Sequence, residues 1–134
     1  MLTLYVIPSG RKNSDINQTV ESFSGLKMEF KSVHNIAEIM VLRKEVISED
    51  DWFCVLFDNE KISEGLRTYL PVYFGYPSDV LVAIKKDKED KTTQSPRFFK
   101  NHVELPDESL LPSKEGNYRF LRIMDGWVLE NDLH

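Results

Sequence analysis

Asp50-Asp51-Trp52-Phe53-Cys54-Val55-Leu56-Phe57-Asp58-Asn59-Glu60 is the stretch on which the reading of this chain turns. Six consecutive apolar or aromatic residues, Trp52 to Phe57, are bounded by polar ones. That pattern predicts a strand buried on both faces rather than a surface helix. In open α/β sheets ligands gather beyond the carboxyl ends of the strands, and Asp58 and Glu60 stand at that end. Carboxylates at i and i+2 point the same way along an extended chain, which suits a hard divalent ion that also holds substrate phosphates. A plainer reading has Asp58 and Asn59 turn the chain and cap the next helix. The residues alone leave both open.

Outward from this strand, the 134 residues predict one domain spanning 1–134. With 41% apolar and 29% charged residues the composition is that of a folded globular chain, not a disordered one. The net charge of −5 argues against nucleic acid as a partner. Leu2 to Ile7 is too short for a secretory core and lacks a basic leader, and no apolar run reaches membrane-spanning length. The single cysteine, Cys54, excludes a disulfide framework. It lies mid-run and reads as a core filler. These features together predict a cytoplasmic protein.

Before the central strand, Leu2–Ile7 has the β-branched and aromatic content of a first strand, stopped by Pro8-Ser9-Gly10. A short helix is expected from Asp15 to about Phe23, ended by Ser24-Gly25. The alternation over Lys27–Val33 predicts a second strand. Asn35 with Glu38 three residues later marks a helix start, and the 3–4 spacing of Ile36, Ile39, Met40, Arg43, Val46 and Ile47 carries that helix to about Ser48. After the central strand, Ile62, Leu66, Tyr69 and Leu70 predict a helix closed by Pro71. The β-α-β-α-β-α order favours a mixed, mostly parallel sheet with helices on both faces, a three-layer α/β domain.

Further on, Asp79–Ile84 reads as another buried strand and Lys85–Lys91 as a solvated, mixed-charge loop. Ser95–Lys100 reads as a short or edge strand, because Pro96 limits its ladder. Leu110 to Asn117 reads as loop. Phe120–Met124 and Val128–Leu129 flank an Asp125-Gly126 turn signal. A zinc site is disfavoured, since His34, His102 and His134 lie at no ligand spacing with each other or with Cys54. The cations that could meet a phosphate beside Asp58 and Glu60 are Arg43, Arg11, Lys12 and Arg97. Arg43 equally fits a stem laid along its helix, and Arg97 fits an ordinary edge-strand cation. Trp127 fits a core or lid aromatic, or a platform for a base or sugar.

Asn35-Ile36-Ala37, Leu42-Arg43-Lys44-Glu45-Val46-Ile47 and Asp51–Glu60 together resemble the nucleotide-sugar-binding half of family 2 glycosyltransferases with the GT-A fold. In that family an Asn or Gly turn leads to a helix carrying Ala-Arg-Asn. A Gly-Asp-Trp entry then opens a hydrophobic strand that ends in Asp-x-Asp or Asp-x-Glu. Ser95-Pro96-Arg97-Phe98-Phe99-Lys100 resembles the family's Pro-Arg-Leu-Phe-Arg segment. The resemblance covers residues 1–60 and, loosely, 78–129. It implies a GT-A-like fold and a nucleotide-sugar donor. It also implies Mg²⁺ or Mn²⁺ on Asp58 and Glu60, with Arg43 supporting the donor diphosphate.

Two functions follow. One is a minimal metal-assisted transferase that passes a sugar to an unknown acceptor, with Asp125 as base and Arg97 and Trp127 lining the donor site. The other is a non-catalytic structural or interaction protein with a protein partner, which keeps the fold without the chemistry.

Overall fold

The computed structural model describes residues 2–45, 51–112 and 116–130. The chain opens β1 (Leu2–Ile7), α1 (Ile16–Glu21), β2 (Met28–Ser32), α2 (Ile36–Arg43) and β3 (Trp52–Phe57). Each helix starts where a side chain satisfies its free N–H groups: Asp15 accepts from Gln18 N and Asn35 from Glu38 N. The helix expected to run to Ser48 ends at Arg43, and residues 46–50 lie outside the described residues. β2 and β3 flank β1, both in parallel register.

A two-residue turn, Asp58-Asn59, leads straight into β4 (Glu60–Ile62), a strand the sequence did not announce. α3 (Glu64–Phe74) follows, capped by Ser63, and runs through Pro71 rather than stopping there. Pro71 removes one helix hydrogen bond. Leu70 before it and Tyr73 after it are both buried in the core, and that burial carries the helix across the break.

The remaining strands are β5 (Val80–Lys86), β6 (Thr92–Lys100), β7 (Phe120–Arg122) and β8 (Val128–Glu130). The sheet order is β2-β1-β3-β6-β5-β8-β4, with β7 also on β5. β6 is antiparallel to both β3 and β5, and β8 is antiparallel to β4 and parallel to β5. β3 and β4 are thus joined by two residues yet stand four places apart in the sheet. At about 4.8 Å per strand a flat sheet would put them about 19 Å apart. Three virtual bonds from Phe57 to Glu60 reach only about 11 Å. The sheet must curl, and it forms a half-barrel.

This corrects the expected fold. Of the described residues 35% are in strands and 21% in helices, in a curled mixed sheet rather than a three-layer α/β sandwich of GT-A type. The physical reason is the antiparallel β5–β6 hairpin and the return of β4, which bend the sheet on itself. Nor do two helical layers cover it. α1 and α3 lie over one core, built on Leu4, Val6, Cys54, Leu56, Leu81 and Phe98. The other core, built on Tyr5, Phe53, Val55, Val80 and Phe99, is covered by the eight-residue α2 and by irregular chain carrying Val103, Leu105 and Tyr118. β1 and β3 are buried along both faces, and Cys54, Val55 and Leu56 are wholly inaccessible.

β6 is likewise no edge strand. Opposite β5, Leu81 faces Phe98 and Val82 faces Pro96, so Arg97 is the extra residue of a β-bulge. A proline that cannot donate to the ladder is tolerated inside a sheet at such a point. Gly126, at φ +113, sits where a Cβ would clash with Leu66 N and come within 2.6 Å of Ser63 Oγ. Gly25, at φ +87, faces open space. Gly25→Ala should therefore cost only the left-handed backbone term, about 1–2 kcal/mol. Gly126→Ala should cost clearly more and lower the melting temperature further, as thermal unfolding of the two variants will show.

Candidate functional site

Past Cys54, β3 and β6 stop pairing: the last partners are Cys54 and Phe98. Val55 C=O and Phe57 N–H, which point toward β6, are left without ladder partners. Side chains fill the gap. Arg97, turned by the bulge, donates from Nη1 to Val55 O at 3.2 Å, and Glu60 Oε1 accepts from Phe57 N at 2.9 Å. The two side chains meet in a bidentate pair, Nη1–Oε1 at 2.6 Å and Nη2–Oε2 at 2.8 Å. Lys85 Nζ adds a contact to Oε2 at 2.9 Å and reaches Glu130 at 3.3 Å. Arg97 Nε donates to Ser95 Oγ, and the Arg97 guanidinium lies over the Phe57 ring.

Glu60 is 0% and Arg97 3% exposed, so the charges are viable only because they are paired and hydrogen-bonded. Burial disfavours the Glu60 carboxylate. Arg97, Lys85 and the Phe57 N–H outweigh that effect and hold its pKa down at about 2. Cys54 lies nearby with its thiol pushed up by burial, so it is an inert filler and not a nucleophile.

Asp58 is engaged elsewhere. Its Oδ1 accepts from Ser9 N and Ser14 Oγ, each at 2.9 Å, and its carbonyl accepts from Asp15 N at 2.7 Å. Burial pushes its carboxyl up, but the bonds from Ser9 and Ser14 hold it below the usual range. Asp58 therefore clamps the loop that leads from β1 to α1. The two acids expected to share a metal have separate partners, and Glu60 has no free oxygen to offer one. Among the described residues no group of three or more His, Cys, Asp or Glu side chains is placed to hold a metal ion. The metal-binding expectation is corrected accordingly.

The other expected site residues are dispersed. Arg43 bonds Asn101, beside the Trp52 end of β3, whereas Asp58 follows the Phe57 end; the strand between them is about 20 Å long. Asp125 is exposed and accepts from the Tyr73 hydroxyl at 2.6 Å. Trp127 is 36% exposed, donates its backbone N–H to Ser63 Oγ, and lies under Lys86 Nζ at 5.1 Å. Only Glu60 and Arg97 are brought together. The sequence reading missed Lys85, placed in a solvated loop, as the third member of their cluster. Pro96 was the available signal for the bulge, since an interior strand admits proline there.

No protein-family model matches the chain, and no curated protein matches it by sequence. Among solved structures it is similar to the viral protein A197 from STIV, with a TM-score of 0.58 and 12% identity over 100% of this chain and 96% of that one. That likeness speaks to fold alone. The expectation drawn from the resemblance to family 2 glycosyltransferases is corrected by the strand-rich curled sheet. The motifs that carried it have structural explanations: Asn35 is a helix cap, Pro96-Arg97 a bulge, and Asp58-x-Glu60 a loop clamp and a buried ion pair. No described helix is long and apolar enough to cross a membrane.

Two measurements follow. Glu60→Gln and Arg97→Met should each cost about 3–5 kcal/mol, because each strands a buried charge. The double variant should recover part of that loss, as a denaturation cycle will report. For pH the sign is set by a folded-state pKa near 2 against an ordinary 4.5. The stabilisation is complete above about pH 4.5 and is lost as pH falls toward 2, about 3 kcal/mol in all. Urea unfolding of Glu60→Gln across that range should be flatter.

Proposed function

We propose that this chain is a non-catalytic interaction protein whose acidic strand end serves the fold. The observation that carries the reading is Glu60, inaccessible and with both carboxylate oxygens engaged by Arg97 and Lys85. A ligand-binding carboxylate at a strand end has to face a cleft. Asp125, hydrogen-bonded to Tyr73, adds support, since a general base needs its oxygen turned toward an acceptor.

The surface that suits contact is the outer face of α3. Thr68 to Ser78 is an eleven-residue stretch without Asp, Glu, Lys or Arg, the longest such in the chain. It exposes Tyr69, Val72 and Tyr76, and Met124 stands beside it through its N–H bond to Tyr73. Tyrosine and methionine enrichment with few charges is the composition of interface cores. The occupant we assign is a second copy of this chain. Two copies each carrying −5 repel, and a self-complementary two-fold contact is least opposed where charge is absent.

Sedimentation equilibrium should show a reversible, concentration-dependent dimer that Val72→Glu abolishes without lowering the melting temperature. A monomer at every concentration would overturn the assignment of this face. Separately, Mn²⁺ with a nucleoside diphosphate should leave the melting temperature unchanged. A rise that Asp58→Asn removes would overturn the non-catalytic reading.

A further inference from the structure

Arg43 is the second buried arginine, 5% exposed, and it lacks what Arg97 has. Its guanidinium lies over the Phe53 ring at 5.0 Å. Nε donates to Asn101 Oδ1 at 2.6 Å, and Nη1 makes a long contact of 3.5 Å to the Tyr5 hydroxyl. Nη2 is buried with no partner. Both acceptors are neutral, so among the described residues no carboxylate answers this charge. A buried cation without a counter-charge is strongly disfavoured, and neutral oxygens repay only part of its lost hydration.

The arginine borders a pocket of about 230 Å³ lined also by Met40, Lys44, Asn101, His102, Val103 and Glu104. Lys44 is exposed at the rim, and His102 is held by Asp79 through Nε2 at 3.1 Å. Glu104, also exposed, makes no ion pair with the guanidinium. A pocket of this size has room for a single oxyanion, not for a nucleotide or a chain.

We propose that this pocket binds a small oxyanion, a phosphate or carboxylate group, which supplies a counter-charge that no described residue gives Arg43. The planar guanidinium matches the paired oxygens of such a group. Nη2, buried and unpartnered, is the donor left for such a group, and the long Nη1 contact to Tyr5 is the bond most readily given up. The stronger bond from Nε to Asn101 keeps the side chain in place meanwhile. Lys44 contributes attraction from the rim. The site is independent of the Glu60 cluster and of the α3 face, so it stands or falls apart from the function proposed above.

The test is a titration of the full chain with inorganic phosphate at constant ionic strength, followed by amide and arginine Nε–H chemical shifts. Saturable shifts are expected at Arg43 Nε–H and at the Lys44, His102 and Val103 amides, with a further change at Tyr5. Sodium acetate serves as the second probe. Saturation by both assigns the pocket to oxyanions in general, and saturation by phosphate alone assigns it to phosphate groups. Arg43→Gln should weaken binding at least about tenfold, equivalent to ~1.4 kcal/mol. Because that variant could fail to fold, Lys44→Glu is the control: it should weaken binding several-fold with the melting temperature unchanged. Shifts that do not saturate, that centre on Arg11 and Lys12, or that survive Lys44→Glu undiminished would overturn the proposal.

Discussion

A two-residue connector dictates the shape of this molecule. Asp58 and Asn59 must deliver the chain from the middle of the sheet to its far edge, and only a curled sheet brings those places within reach. Curling opens the sheet where β3 and β6 diverge, and the opening exposes backbone groups that buried sheets cannot leave unpaired. Glu60, the first residue after the connector, returns its carboxylate to the Phe57 N–H, and Arg97 pairs with that carboxylate while donating to Val55 O. The turn, the curl, the bulge and the ion pair are therefore one solution to one constraint. This is why the pair is worth its desolvation, although a buried salt bridge in a continuous sheet often contributes little.

The strands were largely legible because periodicity reports burial. Trp52–Phe57 has no polar position and is buried on both sides; Leu2–Ile7, which includes Thr3, is also buried throughout. Asp15 and Asn35 were legible as helix starts for the same local reason, a side chain three residues from the N–H it caps. The curl was not legible, since it depends on which strands pair, and pairing is set by tertiary contact rather than by any window of sequence. Glu60–Ile62 shows the difficulty: three residues with a charged one buried look like a loop until β8 is beside them. Lys85 was misplaced because seven charged residues in a row read as solvated, while β5 in fact carries Lys85 and Lys86 into the ladder with β6.

The site was misread for a related reason. An acid-x-acid pair after a hydrophobic strand has the same sequence whether its carboxylates face a cleft or a guanidinium. What separates the cases is the residue opposite, and Arg97 lies 37 positions away. The two buried arginines make the contrast within one protein. One meets a carboxylate and becomes part of the framework. Among the described residues the other meets only amide and phenol oxygens, and its Nη2 has no partner.

Ser63 shows how the late strands are tied to the early ones. Its hydroxyl oxygen accepts from Leu66 N, as a helix cap, and from Trp127 N, which lies 64 residues further on. Ser63 N in turn donates to Trp127 O. One residue thus joins the first turn of α3 to the entry of β8, with Gly126 pressed against both. Displacement of Ser63 therefore deprives Leu66 N–H and Trp127 N–H of their acceptor together. Opening of the helix start at Ser63 consequently also frees the entry of β8, so the amide hydrogens of Leu66 and Trp127 share that opening as a route of exchange.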